Sequence, residues 1–275
     1  MRLTHSVNIR SVLVACGVAA GSLISGAASA ATLADLGLSD AQAQALLNRL
    51  NAPAASPGIA FGSPVAFGMG WGQVGVGIGG ATTDDANNDD LDGSASVSFG
   101  LGDARKWVAL ETTANIISIT NNGANSNFGE DGSFNLKLHT SLPGRAAFAV
   151  GVQNVGRWGG AEGGSSSVYA AATKFFELSN NPNKPLPLAV NVGIGDNRFE
   201  NNGGDGASLF GSVAIVPHQQ VSVIADWTGR DLNAGVSMVP LRQYPLTLSL
   251  GVVNLAERLG AKTEFAGGLG YSFRF

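Results

Sequence analysis

From Pro64 onward, short apolar segments alternate with clusters of Gly, Asn, Asp and Pro. Within the segments, apolar residues recur at every second position, the period of a β-strand with two unlike faces. Leu246, Leu248, Leu250 and Val252 fall on one side, with Thr247, Ser249 and Gly251 on the other. Phe134, Leu136 and Leu138 alternate with Asn135, Lys137 and His139. Leu188, Val190, Val192 and Ile194 stand against Ala189, Asn191 and Gly193. The pattern predicts twelve strands, over 66–79, 94–102, 107–118, 133–141, 146–156, 167–178, 187–195, 207–216, 221–227, 232–239, 246–254 and 264–275.

The connections alternate too. Those after odd strands (82–93, 119–132, 157–166, 196–206, 228–231 and 255–263) are mostly long and hold 13 acidic and 5 basic residues. Those after even strands (103–106, 142–145, 179–186, 217–220 and 240–245) are shorter and hold 1 acidic and 5 basic. A soluble sandwich has no reason to sort loop length and charge by parity. A barrel standing in a membrane does, because odd and even connections emerge on opposite sides. Without spanning helices, only a closed barrel satisfies the backbone inside a bilayer. The expected fold is therefore all-β: a closed antiparallel transmembrane β-barrel of about 12 strands. Aromatics at strand ends (Trp107, Trp158, Tyr169, Phe175, Trp227, Tyr244 and Phe265) are expected to form interfacial girdles.

Composition fits the same picture. Of 275 residues, 13% are charged and 39 are glycine, against usual shares of about 25% and about 7%. That balance argues against a solvated globular enzyme. Residues 1–30 carry Arg2 and Arg10, an apolar run over Val12–Ile24 and a terminal Ala28-Ser29-Ala30, which predicts a secretory signal peptide. A buried N-terminal helix, or lipoprotein processing at Leu13-Val14-Ala15-Cys16, are the alternatives. Cleavage after Ala30 would leave 14 basic and 20 acidic residues and no cysteine, excluding disulfides and cysteine-based metal or redox chemistry. A net charge of −6 also argues against nucleic acid as a partner.

Residues 31–57 read as the helical stretch of the mature chain. Ser39 can cap it, with Gln42 as capping-box partner. Ala45, Leu46, Leu47 and Leu50 supply an apolar stripe, and Pro53 and Pro57 close it before the barrel of 58–275. The segment is expected to plug the lumen or to lie in the periplasm.

The chain ends with Leu269, Tyr271, Phe273 and Phe275 at alternate positions. Together with the signal peptide and the strand–loop parity, this end resembles Gram-negative outer-membrane β-barrel proteins, whose last strand ends in Phe. The resemblance implies placement in the outer membrane, lipid as the surrounding partner, and Leu269, Tyr271, Phe273 and Phe275 as the signal read by the barrel-assembly machinery. Stretches such as Asn127–Phe134 and Ile224–Asn233 are also similar to cyanobacterial outer-membrane barrels.

The expected lumen face holds mostly Gly, Ser, Ala, Thr and Asn, with Glu111, Lys137, His139, Lys174, Asp226, Glu264 and Arg274 as ionisable candidates. Barrel diameter grows with strand number, so twelve strands with small inward residues should leave space. Those charges either brace the interior or line a path. In the first loop, Asn88, Asp90, Asp92 and Gly93 resemble the opening of a calcium loop. Phe99 stands where the bidentate Glu belongs, so an acidic, hydrated surface loop is the alternative. No cofactor is implied. His139 and His218 are the only histidines of the mature chain and no Ser/His pair is placed for catalysis, so an enzyme is not expected. Glycines 70–80 alternate within a strand and form no phosphate loop before a helix. The expectation is a passive or modestly selective pore for small solutes. Its rival is a closed structural or surface-interaction barrel that works through its acidic loops.

Overall fold

The computed structural model describes residues 55–85, 88–117, 129–159, 165–181, 184–200, 206–258 and 261–275. All of them belong to the unit Ala52–Phe275. The signal peptide expected over 1–30 lies outside the described residues, as does the helical segment of 31–57 except for Ala55–Pro57.

Twelve antiparallel strands close into a barrel in sequence order. They are β1 (Gln73–Asp85), β2 (Asn88–Gly102), β3 (Ala109–Ile117), β4 (Gly132–Leu142), β5 (Ala146–Trp158) and β6 (Ser167–Glu177). The second half comprises β7 (Pro187–Asp196), β8 (Ala207–His218), β9 (Val221–Trp227), β10 (Leu232–Met238), β11 (Leu246–Val253) and β12 (Glu264–Arg274). β12 pairs with β1 to close the circle, with Val76 opposite Tyr271 and Gly79 opposite Gly268. Closure leaves no strand edge with unpaired N–H and C=O groups.

Two expectations change at the start of the barrel. The first strand runs over Gln73–Asp85 and not 66–79, and residues 66–72 are no part of its ladder. The alternating glycines of 66–80 read as one strand. However, Gly72 takes φ +79, which breaks the extended run and suits glycine alone. The second strand starts at Asn88 and not at 94, so the loop expected over 82–93 is instead a hairpin, with Asp85 opposite Asn88. Asn88, Asp90 and Asp92 therefore have strand backbone, not the sharply turning backbone of a calcium loop. Their side chains lie outside the described residues.

Strand alternation separates an outer from an inner face. The outer face is apolar around the circumference: Val76, Ile78, Val97, Leu136, Val150, Val192, Val213, Val223, Leu250 and Leu269 are all exposed. Such a belt far exceeds the apolar patch a soluble monomer exposes. Lys174, expected in the lumen, stands on this outer face. Its ammonium lies 5.2 Å from the Phe176 ring centroid, near the end of β6. Conversely, Tyr169 and Phe175 were expected in the girdle and instead share the inner face with the buried Ala171 and Thr173. Trp107, Tyr244 and Phe265 are exposed.

Candidate functional site

Residues 58–71 run through the interior as an irregular strap, tied to inward-facing side chains from most of the wall. The strap starts near the rim that carries the turns after even strands. There the Gly58 N–H donates to Ser237 Oγ (2.8 Å), and Ser222 Oγ donates to the Gly58 carbonyl. Ser212 Oγ donates to the Ile59 carbonyl (2.9 Å), and Asn233 Nδ2 to that of Phe61 (2.8 Å).

The strap turns at Gly62, beside Thr228 and Asn233 at the opposite, long-loop rim. Gly62 adopts φ +138, and an added Cβ would come within 3.0 Å of Asn233 Nδ2 and Thr228 Cγ2. Glycine is the residue that fits this apex. Just past it, Asp226 accepts the N–H groups of Phe61 (2.5 Å) and Ser63 (3.0 Å) and the hydroxyl of Ser63.

The returning limb crosses to the opposite wall. Asn191 Nδ2 donates to the Pro64 carbonyl (3.1 Å), and the Ala66 N–H donates to Thr173 Oγ1 (2.8 Å). Lys137 Nζ donates to the Phe67 carbonyl (2.9 Å) and forms an ion pair with Glu111 (2.9 Å). Glu111 accepts the Met69 N–H (2.7 Å), and His139 Nε2 donates to the Met69 carbonyl (3.0 Å). That bond places a proton on Nε2. The limb ends at Trp71, whose N–H donates to the Gly102 carbonyl (2.8 Å). A segment buried without secondary structure must find partners for its backbone groups. Here inward Ser, Thr, Asn and charged side chains supply them, each bond contributing roughly 0.5–1.5 kcal/mol net.

Apolar strap residues complete the fit. Ile59, Phe61 and Phe175 pack on buried Ala189, Ala214 and Ile224. Ala66 and Phe67 pack with Ala147, Ala149, Tyr169, Ala171, Phe199 and Phe210. The strap also leans closely on Gly100, where an added Cβ would collide with the Met69–Gly70 backbone.

Of the residues expected in the lumen, Glu111, Lys137, His139 and Asp226 point inward and all four hold the strap. Glu264 shares the inward register of β12 with Gly268 and Gly270. Arg274 also points inward, and its Nη2 donates to the Trp71 carbonyl (3.2 Å). His218 is exposed at the end of β8, on the short-turn rim.

Among the described residues, two cavities flank the strap. One of about 770 Å³ opens toward the long-loop rim and is lined by Gly62, Gly79, Ser94, Arg230, Ser249 and Gly268 among others. Arg198 also lines it, on the short 3₁₀ turn Asn197–Phe199. Surrounding protein, and then neighbouring Arg230, hold the Arg198 guanidinium below its ordinary pKa, even though the side chain reaches water in the cavity. The second cavity, about 460 Å³, lies at the short-turn rim beside Gly68, Gly70, Gln73, Arg105, His139 and Arg274.

No family model matches the sequence, and no curated protein does. Among solved structures, the chain is similar to an outer membrane channel from Pseudomonas putida F1, at 13% identity and a TM-score of 0.44. The similarity covers 79% of this chain and 100% of that one.

The alternation along the chain does not predict a strap at 58–71. Its signal lay on the strands: Ala147, Ala149, Tyr169, Ala171, Phe175, Phe210, Ala214 and Ile224 set apolar residues among the polar ones on the inner face of β5–β9. Apolar residues on an inner face need an apolar cover.

Proposed function

We propose that the chain is an outer-membrane β-barrel that acts as a narrow pore for small solutes, partly filled by its own strap. Supporting membrane placement are the closed ladder and the apolar outer belt, which a bilayer would cover with lipid. Leu269, Tyr271 and Phe273 share the outer face of β12, and the Phe275 N–H extends the same edge by bonding to the Gly72 carbonyl (2.9 Å). This end is a suitable recognition strand for the assembly machinery.

The observation that carries the pore reading is an asymmetry of the inner wall. On β4 and β6–β10, inward His139, Thr173, Asn191, Ser212, Ser222, Asp226, Asn233 and Ser237 are buried beneath the strap. On β12, β1 and β2, inward Gly77, Gly79, Ser96, Ser98, Gly268, Gly270 and Ser272 keep partial exposure. Among the described residues, one half of the inner wall is packed against the strap, and the other is lined by small residues that keep partial exposure. Purified barrel in planar bilayers should give small, stepwise, weakly ion-selective currents. Silent bilayers containing correctly folded barrel would refute the reading.

A further inference from the structure

We infer that solutes cross between the strap and the β12–β1–β2 wall, and that Met69 seated on Gly75 sets the size limit of that path. The inference rests on the pore reading and assigns its narrowest point. Four glycines, Gly77 and Gly79 on β1 and Gly268 and Gly270 on β12, occupy consecutive inward positions and face one another across the closing pair. A Cβ added at Gly79, Gly268 or Gly270 would meet only neighbouring backbone within 4 Å, and one at Gly77 only backbone and Ser96 Oγ. No strap atom lies against them. Together they form a groove down the inside of the wall, whose Gly79 and Gly268 border the larger cavity.

At the next inward position toward the short-turn rim the groove is closed. Gly75 is buried, and an added Cβ would collide with Met69 Cε. Below that level Gln73 and Arg274 line the smaller cavity. Met69 therefore lies between the two cavities. Its backbone is fixed at both ends, by Glu111 on the N–H and by His139 on the carbonyl. The side chain reaches over Gly75, with Cε close to where a Cβ on that residue would lie. A methionine has three rotatable bonds and adapts its shape readily, so a fixed main chain carries an adjustable apolar tip across the opening.

The chemistry of the walls indicates what passes. The groove offers glycine backbone and the hydroxyls of Ser94, Ser96 and Ser98. The groove itself carries no charged side chain, while Arg198 and Arg230 border the larger cavity at one end and Arg274 the smaller at the other. Glu111 and Lys137, beside Met69, are paired with each other and occupied by the strap. Small, uncharged, polar solutes such as short polyols suit a path of this kind.

The test uses full-length barrels in planar bilayers and in liposomes swelling in glycerol or erythritol. Met69→Ala should raise single-channel conductance and polyol uptake roughly twofold by widening the constriction, and Gly270→Leu should lower both by about the same factor. Met238→Ala, on the lipid face, serves as control and should change neither. In a Cys16→Ser background, cysteines placed at Met69 and Gly270 should be blocked by a small neutral thiol reagent, while one placed at Ser222, under the strap, should not react. Barrels that conduct normally, yet ignore Met69→Ala, Gly270→Leu and the thiol reagent, would overturn this path and leave the pore reading standing. Barrels silent in every variant would overturn both.

Discussion

The Asp226 carboxylate accepts both the backbone N–H and the side-chain hydroxyl of Ser63, although 163 residues separate them in sequence. One fully buried side chain of β9 thus fixes the apex of the strap and joins the segment that precedes the first strand to the ninth. An acceptor with this many donors is difficult to replace.

Asp226→Ala should release the apex. It leaves the N–H groups of Phe61 and Ser63 without their acceptor, at roughly 1–3 kcal/mol for each buried group left unsatisfied. The barrel ladder does not depend on those bonds, so the variant should still migrate as a folded band in unheated gels. Its currents should become larger and noisier. Quiet currents of wild-type size would mean that the strap holds its place without this anchor.

Excision of residues 58–70 removes the cover from the inner face of β5–β9. Conductance should rise, because the half of the lumen now packed becomes free, while stability to urea falls as Ala149, Phe210 and Ile224 meet water. Unchanged conductance would show that the strap does not occupy the conducting section.

The Lys137–Glu111 pair is largely buried, with side chains 13% and 18% exposed. Breaking such a pair from one side costs about 3–5 kcal/mol, whereas replacing both members costs much less. Lys137→Met should therefore destabilise the barrel more than the Glu111→Gln, Lys137→Met double variant does, as measured by urea unfolding in liposomes followed by Trp fluorescence. Additive losses would mean that the two residues do not act as a pair.

Val192 lies midway along the outer face of β7 and is 54% exposed. Val192→Arg should cost roughly 2–4 kcal/mol of folding stability in a bilayer. Lys174 avoids that cost, since it stands near the end of β6 with its ammonium over Phe176. A neutral effect of Val192→Arg in reconstituted membranes would contradict a lipid-facing belt.

Most of the strand ladder was legible along the chain. The expected 221–227 matches β9 residue for residue, and the bounds of β3–β8 and β10–β12 shift by only one or two positions. The two unlike faces of β4, β7 and β11 carry enough contrast to orient them. β6 does not, and Lys174 shows why. Its inward Tyr169, Ala171 and Phe175 are as apolar as its outward neighbours, because the strap covers them as lipid would cover the other face. Period-two alternation then loses its sign, and the lone lysine reads as the lumen residue. The same cause hid the start of β1. Ala66 to Trp71 alternate small and large residues as a strand does, and only the turn at Gly72 and the bonds to the far wall show that they are strap.

The local sequence by itself determined the strands, their faces and the order of their turns, because alternation and turn chemistry act between near neighbours. It also supplied the inward Glu111, Lys137, His139 and Asp226. What those groups hold was decided only by the tertiary structure. Gly58 and Ser237 are 179 residues apart, and Met69 and His139 are 70 apart. Such pairs exist only once twelve strands have closed around a shared interior. Closure brings distant side chains to one segment and, among the described residues, leaves Gly77, Gly79, Gly268 and Gly270 on the facing wall without a strap contact.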